Sequence, residues 1–312
     1  MINPKKFASL LVEWSDSNNR DLPWKTDKNP YKIWLSEIIL QQTRVQQGLP
    51  YYLHFVDNYP DVFALANATE NQIIKSWEGL GYYSRARNLH KTAKKIVVDF
   101  NGIFPDNYDD LLKLPGIGPY SAAAIASFAY EQVTPVVDGN VLRFIARLLA
   151  VELPVDTKDG RKEIFDFVHK AIQFVIPSVF NQAIMDFGAI VCKPKLPLCI
   201  QCPFAKHCTS LKTNKVNLIP FKKLKIQKQE RHMNFLDFKF NNKYSLICHQ
   251  NTNDIWKGMY LLPTLEFTDN NINEAVNNFI FELYNDEIPF IIHKVNLKPL
   301  KQILTHRVVY AR

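Results

Sequence analysis

The chain has 312 residues, of which 47% are hydrophobic and 22% charged, proportions typical of folded soluble proteins rather than disordered ones. Lys and Arg number 38 against 30 Asp and Glu, a net charge of +8 with a pI near 9.1, which favours a polyanionic partner. The sequence shows neither an apolar run of the roughly 20 residues that a membrane helix needs nor a secretory signal, so we expect a cytoplasmic protein with no membrane contact.

Residues 1 to 213 show helical periodicity almost throughout. Apolar side chains recur at helical spacing in the segments that begin near Pro30, Ser84 and Val141. The alternation typical of strands is nearly absent. This pattern predicts an all-α domain.

A glycine-rich loop lies at 114–120, directly before a small apolar segment. Gly116 and Gly118 permit positive φ and lack a Cβ that would block another backbone, while Pro119 suits the first turn of a helix. Such a loop leaves backbone N–H groups at a helix N-terminus, where they can bind a phosphate. An ordinary turn between helices is the alternative that the loop alone leaves open.

Two carboxylates near these helices have different predicted surroundings. Glu37 lies among Trp34, Ile38 and Leu40, where desolvation favours the protonated form. Asp138 precedes a predicted helix, whose backbone N–H groups can hold the ionised form. The pair therefore offers an acid and an anion, although a solvated helix residue and a simple N-cap would fit the same positions.

Four of the five cysteines fall in one short segment with the spacing C-x6-C-x2-C-x5-C: Cys192, Cys199, Cys202 and Cys208. Disulfides are rare in the cytosol, so clustered thiols indicate a bound metal or an iron–sulfur cluster. Zinc and [4Fe–4S] both accept four thiolates, and the spacing leaves both open. The isolated Cys248 is expected to be a buried small residue.

The period of the apolar residues changes after a lysine-rich stretch. Residues 214–230 contain five lysines around Pro220 and are predicted to be a linker. Alternating residues then indicate strands, and 272–284 reads as a helix, so the C-terminal part is predicted to be α+β. It stops at Arg312 straight after a strand-like run, which leaves a truncated domain open.

The loop, Asp138 and the cysteine quartet together resemble the helix-hairpin-helix DNA glycosylases of the endonuclease III superfamily, and specifically the MutY adenine glycosylases. Further segments carry the resemblance in the same order, namely 21–24, 34–43, 79–89, 137–141 and 180–192. It implies a mainly α fold, with a helix-hairpin-helix glycosylase domain and its [4Fe–4S] cluster loop followed by an α+β Nudix-like module that recognises 8-oxoguanine. The expected bounds are 1–213 for the glycosylase domain, 108–130 for the hairpin, 192–208 for the iron–sulfur loop, 214–230 for the linker and 231–312 for the Nudix-like domain.

The resemblance implies a base excision repair enzyme, a monofunctional adenine DNA glycosylase. Such an enzyme hydrolyses the N-glycosidic bond of adenine paired with 8-oxoguanine or guanine in duplex DNA. Glu37 would protonate adenine at N7 and Asp138 would stabilise the oxocarbenium-like sugar, with Tyr120 and Asn140 supporting Asp138. Tyr120 stands where endonuclease III-type lyases carry a lysine nucleophile, which favours hydrolysis without strand cleavage. The alternatives are an endonuclease III-like glycosylase/lyase and a non-catalytic iron–sulfur protein that binds lesions.

The resemblance also implies the surfaces that bind double-stranded DNA carrying A:8-oxoG or A:G mispairs, with the protein acting as a monomer. The matching positions for the adenine pocket are Arg20, Trp24, Leu40 and Gln182, those for wedges in the base stack are Gln42 and Tyr82, and those for the phosphate loop are Gly116 and Gly118. In the C-terminal module Thr305 and His306 match residues that face 8-oxoguanine, while Leu304 stands where the family usually has Phe. The cysteine quartet would ligate a [4Fe–4S] cluster.

Overall fold

A computed structural model of the chain describes residues 2–18, 20–223, 227–240, 243–251, 254–266, 272–284, 293, 298–304 and 306–312. The chain divides into two compact units, Met1–Leu224 and Lys225–Arg312. This boundary falls inside the segment 214–230, which we had predicted as a linker. A helical first unit and a second unit with a small sheet and one described helix confirm the predicted fold class.

The first unit consists of α-helices joined by loops and short 3-10 turns. Their bounds are α1 Pro4–Asp16, α2 Pro30–Leu40, α3 Val45–Asn58, α4 Val62–Asn67, α5 Glu70–Ser76, α6 Ser84–Phe100, α7 Tyr108–Leu112, α8 Pro119–Tyr130, α9 Gly139–Leu149, α10 Lys158–Ile172, α11 Pro177–Ile190 and α12 Thr209–Lys212. Short 3-10 turns at Cys199–Gln201 and Ala205–His207 shape the cysteine segment. None of the helices in the described part of the chain is long and apolar enough to cross a membrane.

The helix starts follow from local side-chain chemistry. Asn29 caps α2, where its Oδ1 accepts a hydrogen bond from the Tyr31 amide at 2.9 Å and Pro30 fills the first helical position. The start of α4 has a similar cap, with Asp61 Oδ1 accepting from the Ala64 amide at 2.8 Å. Caps of this kind satisfy amide groups that the helix itself leaves unpaired, so they fix where each helix begins.

The first unit has two main hydrophobic cores. Helices α2 to α8 enclose one of them around Trp34, Phe55 and Trp77, and helices α1 and α9 to α11 enclose the other around a group of phenylalanines. Those phenylalanines are Phe7, Phe144, Phe180, Phe187 and Phe204. Helix α8 contacts both α2 and α11, and therefore lies between the two cores.

A buried amide joins the helices between these cores. Asn181 on α11 donates to Ser127 Oγ on α8 at 2.7 Å and to the Thr134 carbonyl at 2.9 Å. Its Oδ1 accepts from the Val136 amide at 2.9 Å. Because the three bonds satisfy the Asn181 amide in a dry interior, they specify how α8, α11 and the segment before α9 fit together.

The described elements of the second unit are β1 Gln229–Phe235, β2 Lys239–Phe240, β3 Tyr244–Ser245, β4 Cys248–His249, β5 Tyr260–Leu261, β6 Thr264–Glu266, α13 Ile272–Tyr284, β7 Leu300–Ile303 and β8 Arg307–Ala311. Four of the strands form a sheet in the order β6-β1-β8-β7, in which β1 runs parallel to β8 and the other neighbours are antiparallel. The pairs β2–β3 and β4–β5 are short and separate. Cys248 is partly exposed, which corrects the expectation of a buried thiol.

Candidate active site

A cavity of about 1380 Å³ in the first unit brings the four predicted catalytic residues together. Glu37 enters it from α2, Tyr120 from the first turn of α8, and Asp138 and Asn140 from the start of α9. These residues lie as far as 103 positions apart in the sequence, since 140 − 37 = 103, and the packing of α2, α8 and α9 assembles them. The cavity is large enough to admit a nucleotide, and both apolar and charged side chains line it.

The same cavity takes in the residues predicted to hold adenine and one of the two predicted wedges. These lining residues are Arg20, Trp24, Leu40, Gln42 and Gln182. Tyr82, Gly116 and Gly118 do not line this cavity. His306 belongs to the second unit and is exposed, and Thr305 lies outside the described residues.

Burial dominates the electrostatics of Glu37. Its side chain is 9% exposed, and burial, assisted by the nearby Asp138 carboxylate, raises the pKa of Glu37 from 4.5 to about 7. A hydrogen bond from Tyr120 acts in the opposite direction because it favours the charged carboxylate. Burial also raises the pKa of Tyr120 well above its usual range, so the phenol keeps its proton and acts as the donor. Glu37 can therefore carry a proton at neutral pH.

Asp138 is the N-cap of α9 and accepts hydrogen bonds on both oxygens. Its Oδ1 accepts from the Asn140 amide at 2.8 Å and the Val141 amide at 2.7 Å, and its Oδ2 accepts from Asn140 Nδ2 at 2.7 Å. The positive end of the helix dipole adds to the field of these donors. Asp138 thus presents an oriented acceptor to the cavity.

Arg143 links this carboxylate to the cysteine segment, and sequence reasoning missed it. Asn140 Oδ1 accepts from Arg143 Nη2 at 3.0 Å, which fixes the amide so that its nitrogen faces Asp138. Arg143 also donates to the Cys192 carbonyl at 2.8 Å and the Gly188 carbonyl at 2.7 Å. The available signal was the spacing of three residues between Asn140 and Arg143, which places both on one face of α9.

Two cations on one wall of the cavity share a buried carboxylate. Asp186, whose side chain is 2% exposed, accepts from Arg20 Nε at 2.8 Å and from Lys25 Nζ at 2.6 Å. Burial lowers the pKa of Lys25, and the pairing with Asp186 opposes that effect. Arg20 is one of the residues predicted from the sequence to line this site, whereas Lys25 and Asp186 are not among them. Lys25 directly follows Trp24 and could have been noticed, whereas Asp186 is 161 positions from Lys25.

The four clustered cysteines line one small cavity of about 30 Å³. None of the cysteines in the described part of the chain forms a disulfide. Burial raises the pKa of Cys202 to about 12, and the three neighbouring thiols add to that rise. No three His, Cys, Asp or Glu side chains among the described residues converge on one point as single-ion ligands. All four thiols nevertheless line this one cavity, so the segment is the candidate site for a group that cysteine sulfurs ligate.

Arg147 holds the start of the cysteine segment. It is 4% exposed and donates to the Lys193 carbonyl at 2.7 Å, the Pro194 carbonyl at 3.1 Å and the Ile219 carbonyl at 2.9 Å. Its Nη1 also lies 3.6 Å from Cys192 Sγ. A guanidinium with several fixed partners restrains this loop independently of any cluster.

The predicted hairpin consists of α7, a loop and α8, and its two glycines have different roles. Gly116 has a φ of +76°, and an added Cβ would lie 2.6 Å from Asn88 Cβ. Gly118 has a φ of −93° as the N-cap of α8, so of these two glycines only Gly116 uses the positive φ that both permit. An added Cβ on Gly118 would meet nothing within 4 Å. Gly116 is therefore required by the fold, while Gly118 leaves open space in front of the amides that begin α8.

Comparison with known proteins assigns the family. Residues 35–168 match the family model of the HhH-GPD superfamily base excision DNA repair proteins. The adenine DNA glycosylase of Buchnera aphidicola subsp. Schizaphis graminum is 36% identical over 262 residues, covering 83% of this chain and 75% of that protein. The adenine DNA glycosylase of Mus musculus is 39% identical over 211 residues, covering 65% of this chain and 41% of that protein. The chain belongs to the adenine DNA glycosylase family.

Solved structures of other DNA glycosylases share this family's fold. A thermostable thymine-DNA glycosylase superimposes with a TM-score of 0.62 at 27% identity, covering 67% of this chain and 97% of that one. A non-covalent endonuclease III–DNA complex gives a TM-score of 0.57 at 21% identity, covering 69% of this chain and 99% of that one, which shows the fold alone. The predicted family, enzyme class and helix-hairpin-helix fold are thus confirmed.

Proposed function

We propose that this protein is a monofunctional adenine DNA glycosylase that hydrolyses the N-glycosidic bond of adenine paired with 8-oxoguanine or guanine in duplex DNA. The observation that carries the proposal is the pairing, in one cavity, of a buried Glu37 whose pKa is raised to about 7 with an Asp138 held by amide donors. One residue is suited to give a proton and the other to face a positive charge. The family's base-specific activity supports the choice of adenine.

The proposed reaction divides charge between these carboxyls. Glu37 protonates N7 of the flipped adenine, so that the electrons of the breaking C1′–N9 bond leave on a neutral purine rather than an anion. Asp138 faces the sugar, where it stabilises the cation that develops at C1′. A water molecule then adds to C1′ and passes its proton to the Glu37 carboxylate, which restores the acid and yields free adenine and an abasic site. Tyr120 and Asn140 position Glu37 and Asp138 through the hydrogen bonds described above.

The lysines that line the cavity support hydrolysis of the glycosidic bond rather than strand cleavage. Residue 120 is a tyrosine, and the two lysines that line the cavity are both in ion pairs, Lys25 with Asp186 and Lys28 with Glu131. A lyase needs an amine nucleophile at the sugar, and the amines of both lysines are engaged with carboxylates instead. The bifunctional alternative is therefore disfavoured.

The adenine base would sit against Trp24, Leu40 and Gln182, where the Gln182 amide can pair with a purine edge. Trp24 is itself held by an edge-on contact with Tyr52, at a ring-centroid separation of 5.1 Å. Arg20 and Lys25 supply a cationic wall that suits a nearby phosphate or electron-rich base. Thr305 and His306 are proposed to contact 8-oxoguanine from the second unit.

The cysteine quartet is proposed to hold a [4Fe–4S] cluster. When bound, the cluster would serve to fix the fold of the loop 192–208, whose lysines Lys193, Lys195 and Lys206 can face DNA phosphates. This chain's own contribution is the Arg147 contacts to the start of the loop. The proposal extends to a monomer that acts on chromosomal DNA in the bacterial cytoplasm.

One assay separates the candidate functions. Duplexes carrying adenine opposite 8-oxoguanine, guanine or thymine are incubated with the protein, and products are compared with and without alkali. Adenine loss opposite the first two, with strand breaks that need alkali, supports the proposal. Breaks without alkali, together with a borohydride-trapped adduct in stoichiometric yield, would indicate a lyase, and binding without base loss would indicate a lesion-binding protein.

The hairpin glycines provide a prediction for DNA binding. We expect Gly118→Ala to leave stability within about 0.5 kcal/mol of wild type, because its backbone angle and surroundings accept a methyl group. Duplex affinity should fall several-fold, because the methyl group occupies space where a phosphate would approach the α8 amides. Fluorescence anisotropy with a labelled duplex and denaturant unfolding measure the two effects.

Gly116→Ala is the matched comparison. It forces a positive φ on alanine at a cost of about 1–2 kcal/mol and adds a clash with Asn88, so the loss should show as reduced stability. Wild-type duplex affinity in Gly118→Ala would argue against a phosphate contact at this hairpin.

A further inference from the structure

The two predicted wedge residues share an uncommon backbone conformation. Gln42 has a φ of 57° and Tyr82 a φ of 48°, both in the left-handed region that residues with bulky side chains rarely occupy. Both side chains are exposed, Tyr82 to 44%. Conformations of this kind cost roughly 1–3 kcal/mol and persist where the surrounding structure enforces them. Each wedge residue therefore lies on a loop that something else must hold.

Arg85, near the start of α6, contacts both of these loops. Its Nη1 donates to the Gln41 carbonyl at 2.6 Å, directly before Gln42. Its Nη2 lies 3.3 Å from the carbonyl oxygens of Leu80 and Gly81, directly before Tyr82. One guanidinium thus bridges the chain segments that lead into the two wedges, although these are 40 positions apart, since 82 − 42 = 40.

Further contacts fix the orientation of this guanidinium. Nη1 also reaches the Ile38 and Ile39 carbonyls at 3.0 and 2.9 Å, at the negative end of the α2 dipole, where a cation is favoured. The Trp77 ring lies 5.0 Å from Arg85 Cζ and the Tyr82 ring 5.9 Å, so the cation is flanked by two aromatic faces. Trp77 in turn donates from Nε1 to the Gly81 carbonyl at 3.0 Å.

Arginine suits this place because its planar group offers donors in two directions at once. A lysine ammonium concentrates its donors at one point and cannot span both loops. Burial lowers the pKa of Arg85 to about 10, which still leaves the group charged at neutral pH. The core contribution of α6 comes from other side chains, among them Ala86, Leu89 and Ala93, so the role of Arg85 can be separated from the packing of its helix.

We infer that Arg85 is a positioning residue that ties the loops at 41–43 and 80–82 together, so that Gln42 and Tyr82 enter the duplex as one rigid pair. This inference rests on the proposed function, in which these side chains fill the stack left by the flipped adenine. Inserting two side chains between stacked bases costs stacking free energy. If the two loops could move independently, the bases could displace the side chains instead of separating. Arg85 touches neither the base nor the reacting atoms and acts through the wedges.

The test compares Arg85→Lys with Arg87→Lys on the same helix. Arg87 pairs with Glu70 on α5, so its replacement controls for the loss of a guanidinium from α6. Hydrogen exchange of the free protein measures both loops, with the hairpin at 113–119 as internal reference. Stopped-flow fluorescence with 2-aminopurine opposite 8-oxoguanine measures base extrusion, and single-turnover excision from an A:8-oxoG duplex measures chemistry.

In Arg85→Lys we expect faster exchange in both loops, a smaller and slower fluorescence rise, and excision about 10- to 100-fold slower, because small misplacements cost this much. Affinity for a fully paired duplex should be unchanged, which a merely unfolded variant would not show. Arg87→Lys should match wild type in each measurement.

Faster exchange in only one loop, or extrusion equal to that of Arg87→Lys, would overturn the inference. Arg85→Met, which keeps the length of the side chain but removes every donor, should reproduce the Arg85→Lys defects at least as strongly. Wild-type extrusion by Arg85→Met would likewise overturn it. If wild-type protein itself neither extrudes 2-aminopurine nor releases adenine, the proposed function fails, and this outcome is distinct from a failure of Arg85 alone.

Discussion

Glu37→Gln is expected to slow adenine excision by about 10²- to 10⁴-fold, the usual contribution of a positioned general acid. The amide keeps the shape and the contact with Tyr120 but has no proton to give to N7. Single-turnover kinetics on an A:8-oxoG duplex measure the effect separately from product release. The wild-type rate should decline as the pH rises through about 7, because only the protonated Glu37 is active.

Glu37→Gln should also change the stability of the protein, and here we expect a gain rather than the loss expected for the excision rate. The pKa of Glu37 is about 7 in the folded protein against 4.5 normally, so the folded state binds more protons between these values and loses stability as the pH rises through that window. Above pH 7 the buried charge costs on the order of 3 kcal/mol. Glu37→Gln should therefore be more stable than wild type at pH 8 and nearly equal to it below pH 4.5, as measured by denaturant unfolding. A wild-type rate in this variant, or an unchanged unfolding midpoint at pH 8, would contradict the assignment.

Asp138→Asn is expected to lower excision by about 10²- to 10³-fold or more, because it removes the charge that faces the developing sugar cation. Asparagine is as good an N-cap as aspartate, so α9 should keep its start and the protein its fold. Single-turnover rates, duplex affinity and unfolding are measured together, and we expect only the first to change strongly.

Asp61→Asn provides the matched control for this substitution. Asp61 also caps a helix, accepting from the Ala64 amide at 2.8 Å, but it does not line the cavity. The Asp61→Asn variant should excise adenine at the wild-type rate. A similar loss in both variants would mean that capping, rather than charge at the cavity, explains the effect of Asp138.

Local sequence patterns predicted the fold class and the surroundings of the two central carboxyls well. The apolar neighbours of Glu37 predicted burial, and the helix start after Asp138 predicted its amide donors, because each depends on residues within one helical turn. The sequence did not separate the roles of Gly116 and Gly118, since a Gly-x-Gly pattern does not tell which glycine needs a positive φ. Here the structure was needed to distinguish conformational need from open space.

Contacts between segments that are distant in the chain could not be predicted from the sequence. Asp186 lies in an apolar helix, and only the packing of α11 reveals that it holds Arg20 and Lys25 together. In the sequence, Arg85 is one of several cations on a basic helix. The carbonyl groups that accept its hydrogen bonds lie 4 to 47 positions away along the chain. Tertiary packing sets such roles, which no short window of residues records.

The two separate hydrophobic cores have a consequence for variants far from DNA. Glu37 belongs to a helix anchored in one core, whereas Asp138 begins a helix anchored in the other. The spacing between proton donor and anion is therefore set by how two independently packed halves meet, along α8 and α11 near Ser127 and Asn181. Substitutions at that junction can slow catalysis while both hydrophobic cores stay intact. A screen for variants that are inactive but well folded should therefore find such substitutions concentrated there.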